Sequence, residues 1–213
     1  MDQAVEAVLR EYEKRSEEEN KFTSSMTDAD WLKHRDKYLL SVGPATGQLM
    51  NLLAKQLKAK NILEIGTSYG YSTVWLAEAA RANGGRLTTL DAVADKQAHA
   101  RSQLQKARLA EFVDFRLGDA LDSLAKIDGP LDFVLLDLWK DMYIPCFDLF
   151  YPKLSPGALV IADNMTYPET TQSHAVAYRK HVRIKRDLQS LLVPVGSGLE
   201  LTRCIRGLET VLI

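Results

Sequence analysis

Two apolar runs that end abruptly in polar side chains constrain the fold of this chain more than any other feature. The run Phe133–Leu136 is followed by Asp137, and the run Ala158–Ala162 is followed by Asp163 and Asn164. Short, continuous apolar runs are typical of strands buried inside a parallel sheet. Because ligands of open α/β sheets bind just beyond the carboxyl ends of such strands, we expect these polar side chains to border a site.

From residue 61 onward the predicted strands alternate with predicted helices, an order typical of a doubly wound α/β sheet with right-handed crossovers. The glycine-rich connection Gly196-Ser197-Gly198 predicts a final hairpin, with one strand antiparallel to the rest. We therefore predict a Rossmann-like, seven-stranded sheet with a C-terminal antiparallel strand and added N-terminal helices. The strands are expected at Asn61–Ile65, Arg86–Leu90, Phe112–Leu117, Phe133–Leu136, Ala158–Ala162, Leu191–Val195 and Leu199–Ile205.

Apolar residues at helical spacing predict the helices around this sheet. The first helix is marked by Val5, Val8, Leu9 and Tyr12, the second by Trp31, Tyr38 and Leu39, and the third by Leu49, Met50, Leu52, Leu53 and Leu57. The later helices are expected from an N-cap at Ser72 to Ala82, and over Ala94–Ala107, Ala120–Lys126, Met142–Tyr151 and His174–Leu188. We predict one domain over residues 1–213, with a helical cap at 1–58 and an α/β core at 61–213.

The overall composition limits the classes of binding partner that we expect for this protein. A formal charge of −1 gives no general attraction for nucleic acids or anionic membranes. No run approaches the roughly 18 apolar residues of a membrane span, and the first residues lack the pattern of a signal peptide. Cys146 and Cys204 form neither a disulfide framework nor a metal-type pair. We expect a cytoplasmic protein with no nucleic-acid or membrane partner.

The loop after the first strand predicts a ligand site. Gly66 and Gly70 let the backbone approach a ligand closely, but the third glycine of a dinucleotide fingerprint is missing. This spacing suits a nucleoside with a carboxylate tail, such as S-adenosylmethionine. Asp91, after the second strand, can accept both ribose hydroxyls, and Asp119, after the third, an adenine amino group. The alternative is a tight turn with solvated acids, but three successive strand ends favour a ligand.

Several motifs together resemble the S-adenosylmethionine-dependent, divalent-metal-dependent O-methyltransferases of the catechol and caffeoyl-CoA type. The most specific pair is Asp137-Leu138-Trp139-Lys140-Asp141 followed by Asp163-Asn164, which looks closest to the catechol branch. The other matching stretches are Val42-Gly43 with Gly47-Gln48, Leu63-Glu64-Ile65-Gly66 with Gly70-Tyr71-Ser72, and Gly207-Leu208-Glu209.

The resemblance implies methyl transfer from S-adenosylmethionine to a hydroxyl of a small, catechol-like acceptor. It implies that Asp137, Asp163 and Asn164 ligate Mg²⁺ or another divalent cation, and that Lys140 is the general base. The implied cofactor pocket comprises Val42, Glu64, Gly66, Tyr71, Ser72, Asp91, Asp119, Ala120, Asp137 and Trp139. The implied acceptor site comprises Tyr38, Trp139, Pro168 and Glu200.

The implied chemistry suits these residue types. Mg²⁺ prefers hard oxygen ligands, and two carboxylates with one amide leave about three octahedral positions for water or substrate. Burial beside a dication would lower the pKa of Lys140, as a neutral base requires. The alternative is that Asp137 caps a helix and Asp163-Asn164 forms a turn, which leaves Lys140 between them unexplained.

Three positions depart from the catechol enzymes and concern the acceptor more than the reaction. Leu138 replaces a histidine that contacts the cofactor, Thr46 replaces a lysine, and Tyr38 replaces a larger tryptophan. Two other functions stay open, namely a nicotinamide-dependent oxidoreductase and a non-catalytic S-adenosylmethionine-binding protein. The identity of the acceptor and the formation of a homodimer are also left open.

Overall fold

The computed structural model describes residues 1–34 and 37–207, which form a seven-stranded sheet with helices on both faces. The strands are β1 Asn61–Ile65, β2 Arg86–Asp91, β3 Val113–Leu117, β4 Leu131–Leu136, β5 Leu154–Ala162, β6 Leu188–Val193 and β7 Leu199–Cys204. The helices are α1 Gln3–Thr23, α2 Asp28–His34, α3 Pro44–Gln56, α4 Tyr71–Asn83, α5 Ala94–Lys106, α6 Ala120–Ala125, α7 Tyr143–Phe150 and α8 Gln172–Arg183. Single 3₁₀ turns lie at Ala110–Phe112, Lys140–Met142, Tyr151–Lys153 and Glu169–Thr171.

The strand order is β3-β2-β1-β4-β5-β7-β6. The pairs among β1 to β5 are parallel, whereas β7 pairs antiparallel with both β5 and β6. The predicted Rossmann-like sheet with one antiparallel strand near its C-terminus is therefore confirmed. The order reverses between β1 and β4, and ligands of open α/β sheets bind at such a switch point.

The apolar run of β4 is continuous because each face of the sheet has its own core. Phe133 and Leu135 pack on the side of α1, α3, α4 and α5, while Val134 and Leu136 pack on the side of α7 and α8. Successive side chains of a strand point to opposite faces, so burial on both faces requires apolar residues throughout. None of the helices in the described ranges combines the length and the apolar character needed to cross a membrane.

The N-terminal helices differ from the prediction in extent and facing. Helix α2 ends at His34, so Tyr38 and Leu39 lie beyond it. Leu52, predicted on the apolar side of α3, has 63% of its surface exposed. Asn51 is buried instead, because its amide donates to the Trp75 carbonyl oxygen at 2.8 Å and to the Glu78 carboxylate at 2.7 Å. The buried side of α3 therefore includes the polar residue Asn51, whereas Leu52, which the apolar pattern placed on that side, is exposed.

The bounds of the C-terminal elements also differ from the prediction. Helix α8 ends at Arg183, not at Leu188, and β6 begins at Leu188, not at Leu191. The register explains the shift, since Leu188 pairs with Cys204 across the hairpin. Strand β5 begins at Leu154, four residues before the predicted start at Ala158. The matched stretch at 207–209 extends outside the described residues, and the division of the chain into cap and core stays a prediction.

Gly66 offers a test of how tightly β1 and β4 are joined at their carboxyl ends. Its φ is +108°, and a Cβ added there would lie 1.9 Å from the Asp137 carbonyl oxygen. We expect Gly66→Ala to lower the free energy of unfolding by about 3 kcal/mol, because backbone strain and a clash add. Gly84→Ala, at φ +63° in open space, should cost only about 1 kcal/mol. Urea unfolding measures both, and equal losses would contradict the close contact.

Candidate active site

Backbone hydrogen bonds tie the carboxyl ends of the central strands to one another. The Asp137 N–H donates to the Ile65 carbonyl at 2.9 Å, and the Asp163 N–H donates to the Leu136 carbonyl at 3.2 Å. The Gly66 N–H donates to the Leu90 carbonyl at 2.9 Å. The loops that follow β1, β2, β4 and β5 therefore meet at one edge of the sheet.

Lys140 lies at the centre of this edge. It sits in the 3₁₀ turn after β4 and is 9% exposed. Its Nζ donates to Asn164 Oδ1 at 2.9 Å and to the Tyr143 hydroxyl at 2.5 Å. Tyr143 is fully buried, and its hydroxyl donates in turn to the Asp163 carbonyl oxygen at 3.2 Å. The structure thus brings Lys140 together with the residues after β5, as predicted from the two apolar runs.

The charges around Lys140 perturb one another. Burial raises the pKa of Asp163 to about 7, with a further rise caused by the charge of Asp137. Burial also raises the pKa of Asp137, although the Lys140 ammonium opposes this. Burial lowers the pKa of Lys140, while the two carboxylates oppose that change. Two acids and one amine thus share a poorly solvated space, where each charge depends on the others.

The oxygen atoms at this edge fit a cation. Asp163 is 2% exposed, and its Oδ1 is buried without a hydrogen-bond partner in the part of the chain that the structure describes. Asn164 has a φ of +54°, a left-handed conformation that asparagine tolerates, and its Oδ1 already accepts from an ammonium. Within residues 1–34 and 37–207, no group of three His, Cys, Asp or Glu could hold a metal. A site here would therefore consist of two carboxylates and one amide.

Glu64 anchors the start of α4. It is fully buried and accepts hydrogen bonds of 2.6 Å from the hydroxyls of Ser72, Thr73 and Thr89. The predicted N-cap at Ser72 is wrong, because α4 begins at Tyr71 with Gly70 as its N-cap, and the Ser72 hydroxyl bonds to Glu64 instead. Burial raises the pKa of Glu64 to about 7, although the three hydroxyls lower it.

The two acids predicted to meet a nucleoside are held by backbone N–H groups. Asp91 accepts from the Ser68 N–H at 2.7 Å and from the Val93 N–H at 2.8 Å. Asp119 caps α6 by accepting from the backbone at positions 121 and 122. An ionised carboxylate has about four acceptor sites, so each acid retains capacity for a ligand. The Ser68 hydroxyl is buried beside Asp91 without a partner among the described residues, which fits a polar ligand here.

The residues predicted to contact the acceptor fall into two groups. Trp139 is 47% exposed, Pro168 is half-buried, and the half-buried Tyr38 donates its hydroxyl to the Met26 sulfur at 3.3 Å. Glu200, in contrast, is fully buried in β7 and turned away from solvent. Arg183 donates to both of its carboxylate oxygens, at 2.7 and 2.9 Å. Its placement gives no support to the predicted contact between Glu200 and an acceptor.

Several residues at this edge were missed by sequence reasoning. Tyr143 follows Lys140 by three positions, a spacing that can place two side chains on one side of a helical turn. That spacing is the signal that could have identified Tyr143. Thr73, Thr89 and Arg183 left no such signal, because their partners come from distant parts of the chain.

Comparisons with known proteins identify the family. Residues 13–205 match the O-methyltransferase family. The chain belongs to this family. A catechol O-methyltransferase of Niastella koreensis is 39% identical over 130 residues, which cover 59% of this chain and 58% of that protein, less than two thirds of its length. A caffeoyl-CoA O-methyltransferase of Eucalyptus gunnii is 29% identical, covering 79% of this chain and 75% of that protein.

A solved structure supports the same assignment. The O-methyltransferase of Bacillus cereus in complex with SAH (S-adenosylhomocysteine) superposes with a TM-score of 0.73 at 26% identity. The match covers 96% of this chain and 91% of that one. The predicted resemblance, fold and enzyme class are therefore confirmed for this O-methyltransferase family member, and the oxidoreductase alternative has no support from these comparisons.

The raised pKa of Glu64 predicts a pH-dependent stability. Between its ordinary pKa of 4.5 and its folded value of about 7, the folded state holds a proton that the unfolded state lacks. The stability of the wild type should therefore fall as the pH rises through this window, whereas Glu64→Gln cannot titrate. Without cofactor, we expect the difference in unfolding free energy between the two proteins to change by about 3 kcal/mol from pH 4.5 to 7. Urea unfolding across this range measures it, and a constant difference would contradict the shift.

Proposed function

We propose that this O-methyltransferase moves a methyl group from S-adenosylmethionine to a hydroxyl of a small, catechol-like acceptor, assisted by a divalent cation and by Lys140. One observation carries the proposal: Lys140 Nζ meets Asn164 Oδ1 at 2.9 Å, beside the buried carboxylate of Asp163. Family membership supports methyl transfer to oxygen. The name of the Niastella koreensis relative supports a catechol-like acceptor.

The cofactor site lies over the loops that follow β1, β2, β3 and β4. S-adenosylmethionine supplies an electrophilic methyl group when bound there. The SAH complex of the Bacillus cereus neighbour supports this ligand, and so does the buried Ser68 hydroxyl that lacks a partner in the described ranges. Asp91 uses its spare acceptor sites to hold ribose hydroxyls. The proposed contacts come from Val42, Glu64, Gly66, Tyr71, Ser72, Asp91, Asp119, Ala120, Asp137 and Trp139.

Asp137, Asp163 and Asn164 are the proposed ligands of Mg²⁺ or another divalent cation. The free Oδ1 of Asp163 and the Asn164 oxygen that faces an ammonium support this assignment. Such a cation, when bound, lowers the pKa of a coordinated hydroxyl and fixes its position. The two carboxylates hold positive charge at the sheet edge, and the amide adds an oxygen without adding negative charge.

Lys140 accepts the acceptor's proton at Nζ. This role requires the neutral amine, and burial favours that form by lowering the pKa of Lys140. Tyr143 holds Nζ in place, because its hydroxyl bonds to both Nζ and the Asp163 carbonyl. Nζ also lies 4.2 Å from the centroid of the Tyr143 ring.

Tyr38, Trp139 and Pro168 form the proposed walls of the acceptor site. All three side chains are partly exposed, so each is accessible to a flat aromatic acceptor. Glu200 is left out, because Arg183 and Ser190 occupy its carboxylate. Leu138, where the catechol enzymes have a histidine that contacts the cofactor, packs against the apolar core on the side of α7 and α8.

Removal of metal tests the cation. We expect EDTA to lower the rate of methyl transfer to a panel of catechols by about 100-fold or more, and Mg²⁺ to restore it, because the coordinated hydroxyl loses its activation. Asp163→Asn should abolish the response to Mg²⁺, whereas Asp148→Asn, an acid on α7 that bonds to His181, should retain it. Full activity in EDTA would refute the metal and leave methyl transfer intact.

Replacement of Lys140 tests the base. Lys140→Met keeps the volume but removes the proton acceptor, so kcat should fall by about 10²- to 10³-fold. The dissociation constant of S-adenosylhomocysteine, measured by calorimetry, should stay within about twofold of the wild-type value. Lys180→Met, on the exposed side of α8, is the matched control and should leave both quantities unchanged. An unchanged kcat in Lys140→Met would refute the base. A wild type that binds S-adenosylhomocysteine but methylates no acceptor would favour the non-catalytic alternative.

A further inference from the structure

Helix α1 contacts both segments that the proposed function gives to the two substrates. Toward the loop after β1, the Tyr12 hydroxyl donates to the Tyr69 carbonyl oxygen, and Glu13 accepts from the Tyr71 hydroxyl at 3.2 Å. Toward the segment at 37–42, Glu19 accepts from the Leu39 N–H at 2.7 Å. One helix outside the α/β core therefore reaches both sides of the proposed site.

The loop after β1 has a backbone that depends on its neighbours. Ser68 has a φ of +45° and Gly70 a φ of +96°, so left-handed residues flank Tyr69 on both sides. Such conformations persist where the surrounding structure holds them. Asp91 holds one side of the loop through the Ser68 N–H, and Tyr12, which is 2% exposed, holds the other through the Tyr69 carbonyl.

Further contacts join α1 to the Tyr69 side chain. The Arg15 guanidinium lies 4.3 Å from the centroid of the Tyr69 ring. A Cβ added at Gly70 would lie 3.2 Å from the Tyr12 hydroxyl oxygen, which shows how closely the helix approaches the loop. Tyr12 also packs edge-on against Tyr71, with ring centroids 5.8 Å apart. A small change at Tyr12 is therefore transmitted directly to the loop backbone.

Polar contacts also join α1 to the segment at 37–42. The Glu19 carboxylate bridges the Leu39 N–H and Arg15 Nε, both at 2.7 Å. The hydroxyls of Ser16 and Ser41 lie 3.4 Å apart. Leu39 and Val42 are buried in the core, whereas Ser41 borders a groove of about 280 Å³ between α1 and Pro44. Core packing holds Val42, and the hydrogen bond from the Leu39 N–H to Glu19 adds a polar anchor to the backbone next to Tyr38.

We propose that Tyr12 and Glu19 are positioning residues for the two substrates. Tyr12 sets the affinity for the cofactor by fixing the carbonyl of Tyr69. Glu19 sets the KM for the acceptor by fixing the backbone at Leu39, next to Tyr38. The proposal rests on the proposed function, because it takes the loop after β1 as the cofactor loop and Tyr38 as an acceptor wall.

Calorimetric titration with S-adenosylhomocysteine tests Tyr12 without any need for catalysis. Tyr12→Phe removes one hydroxyl, and we expect the dissociation constant to rise about fivefold, the effect of one net hydrogen bond. Tyr151→Phe is the matched control, because it removes a hydroxyl that bonds to Asp187 at 2.5 Å near the amino ends of β5 and β6. This control should lower the melting temperature but leave the dissociation constant unchanged.

Steady-state kinetics test Glu19. Glu19→Ala should raise the acceptor KM about fivefold through the lost hydrogen bonds, with the dissociation constant of S-adenosylhomocysteine and kcat unchanged. Glu18→Ala makes the same change on the same helix, at a side chain that is 65% exposed, and should alter none of these quantities. If the role of Glu19 were merely structural, Glu19→Ala would lower the stability without a selective rise in the acceptor KM.

The outcomes separate the two levels of the proposal. If Tyr12→Phe binds S-adenosylhomocysteine as tightly as the wild type, or Glu19→Ala keeps the wild-type acceptor KM, the positioning role of that residue is refuted. If the wild type itself fails to bind S-adenosylhomocysteine, the proposed function is refuted instead. The calorimetric result for the wild type therefore shows which of the two has failed.

Discussion

The site depends on the burial of one amine among acids. Lys140 is 9% exposed, and removing a charged amine from water is costly unless opposite charges lie nearby. Asp137 and Asp163 supply those charges, and when both are ionised, two carboxylates exceed one ammonium and leave a net negative charge at the sheet edge. The Asp163 Oδ1 that lacks a partner among the described residues marks the same excess. A cation bound by these oxygens would balance the charge and would also favour the neutral amine that a base requires.

The sheet holds these charged side chains in fixed positions close to one another. Strands β1, β4 and β5 lie side by side, and hydrogen bonds continue past their ends to Asp137 and Asp163. The close approach of Gly66 to the Asp137 carbonyl leaves no room for a side chain between β1 and β4. Groups from distant parts of the chain are therefore fixed on rigid elements, which precise positioning of reacting groups requires.

The sequence predicted the parts of this arrangement that follow from local pattern. Strand β4 was predictable because Phe133 and Val134 pack in the cores on opposite faces of the sheet. The position of Asp137 at the sheet edge followed from its place directly after that strand. What could not be predicted has a distant partner. Asn51 is buried through bonds to α4, and the Ser72 hydroxyl is drawn from the cap position by Glu64 in β1. Hydrogen-bond partners of this kind leave no periodic signal, so sequence reasoning named Glu64 and Ser72 without their contact with each other.

For Glu200, the family resemblance implies an acceptor contact that its observed hydrogen bonds do not support. Arg183 and Ser190 occupy both of its oxygens, so turning the carboxylate toward an acceptor would leave a buried charge without its partners. That is costly, because Glu200 is fully buried and its charge would no longer be compensated by a partner. In the proposed acceptor site, recognition of a second hydroxyl would therefore fall to Asn164, Trp139 and Tyr38. Tyr38 adjoins the backbone that Glu19 holds, so the proposal makes acceptor selectivity depend in part on helix α1, which lies outside the α/β sheet.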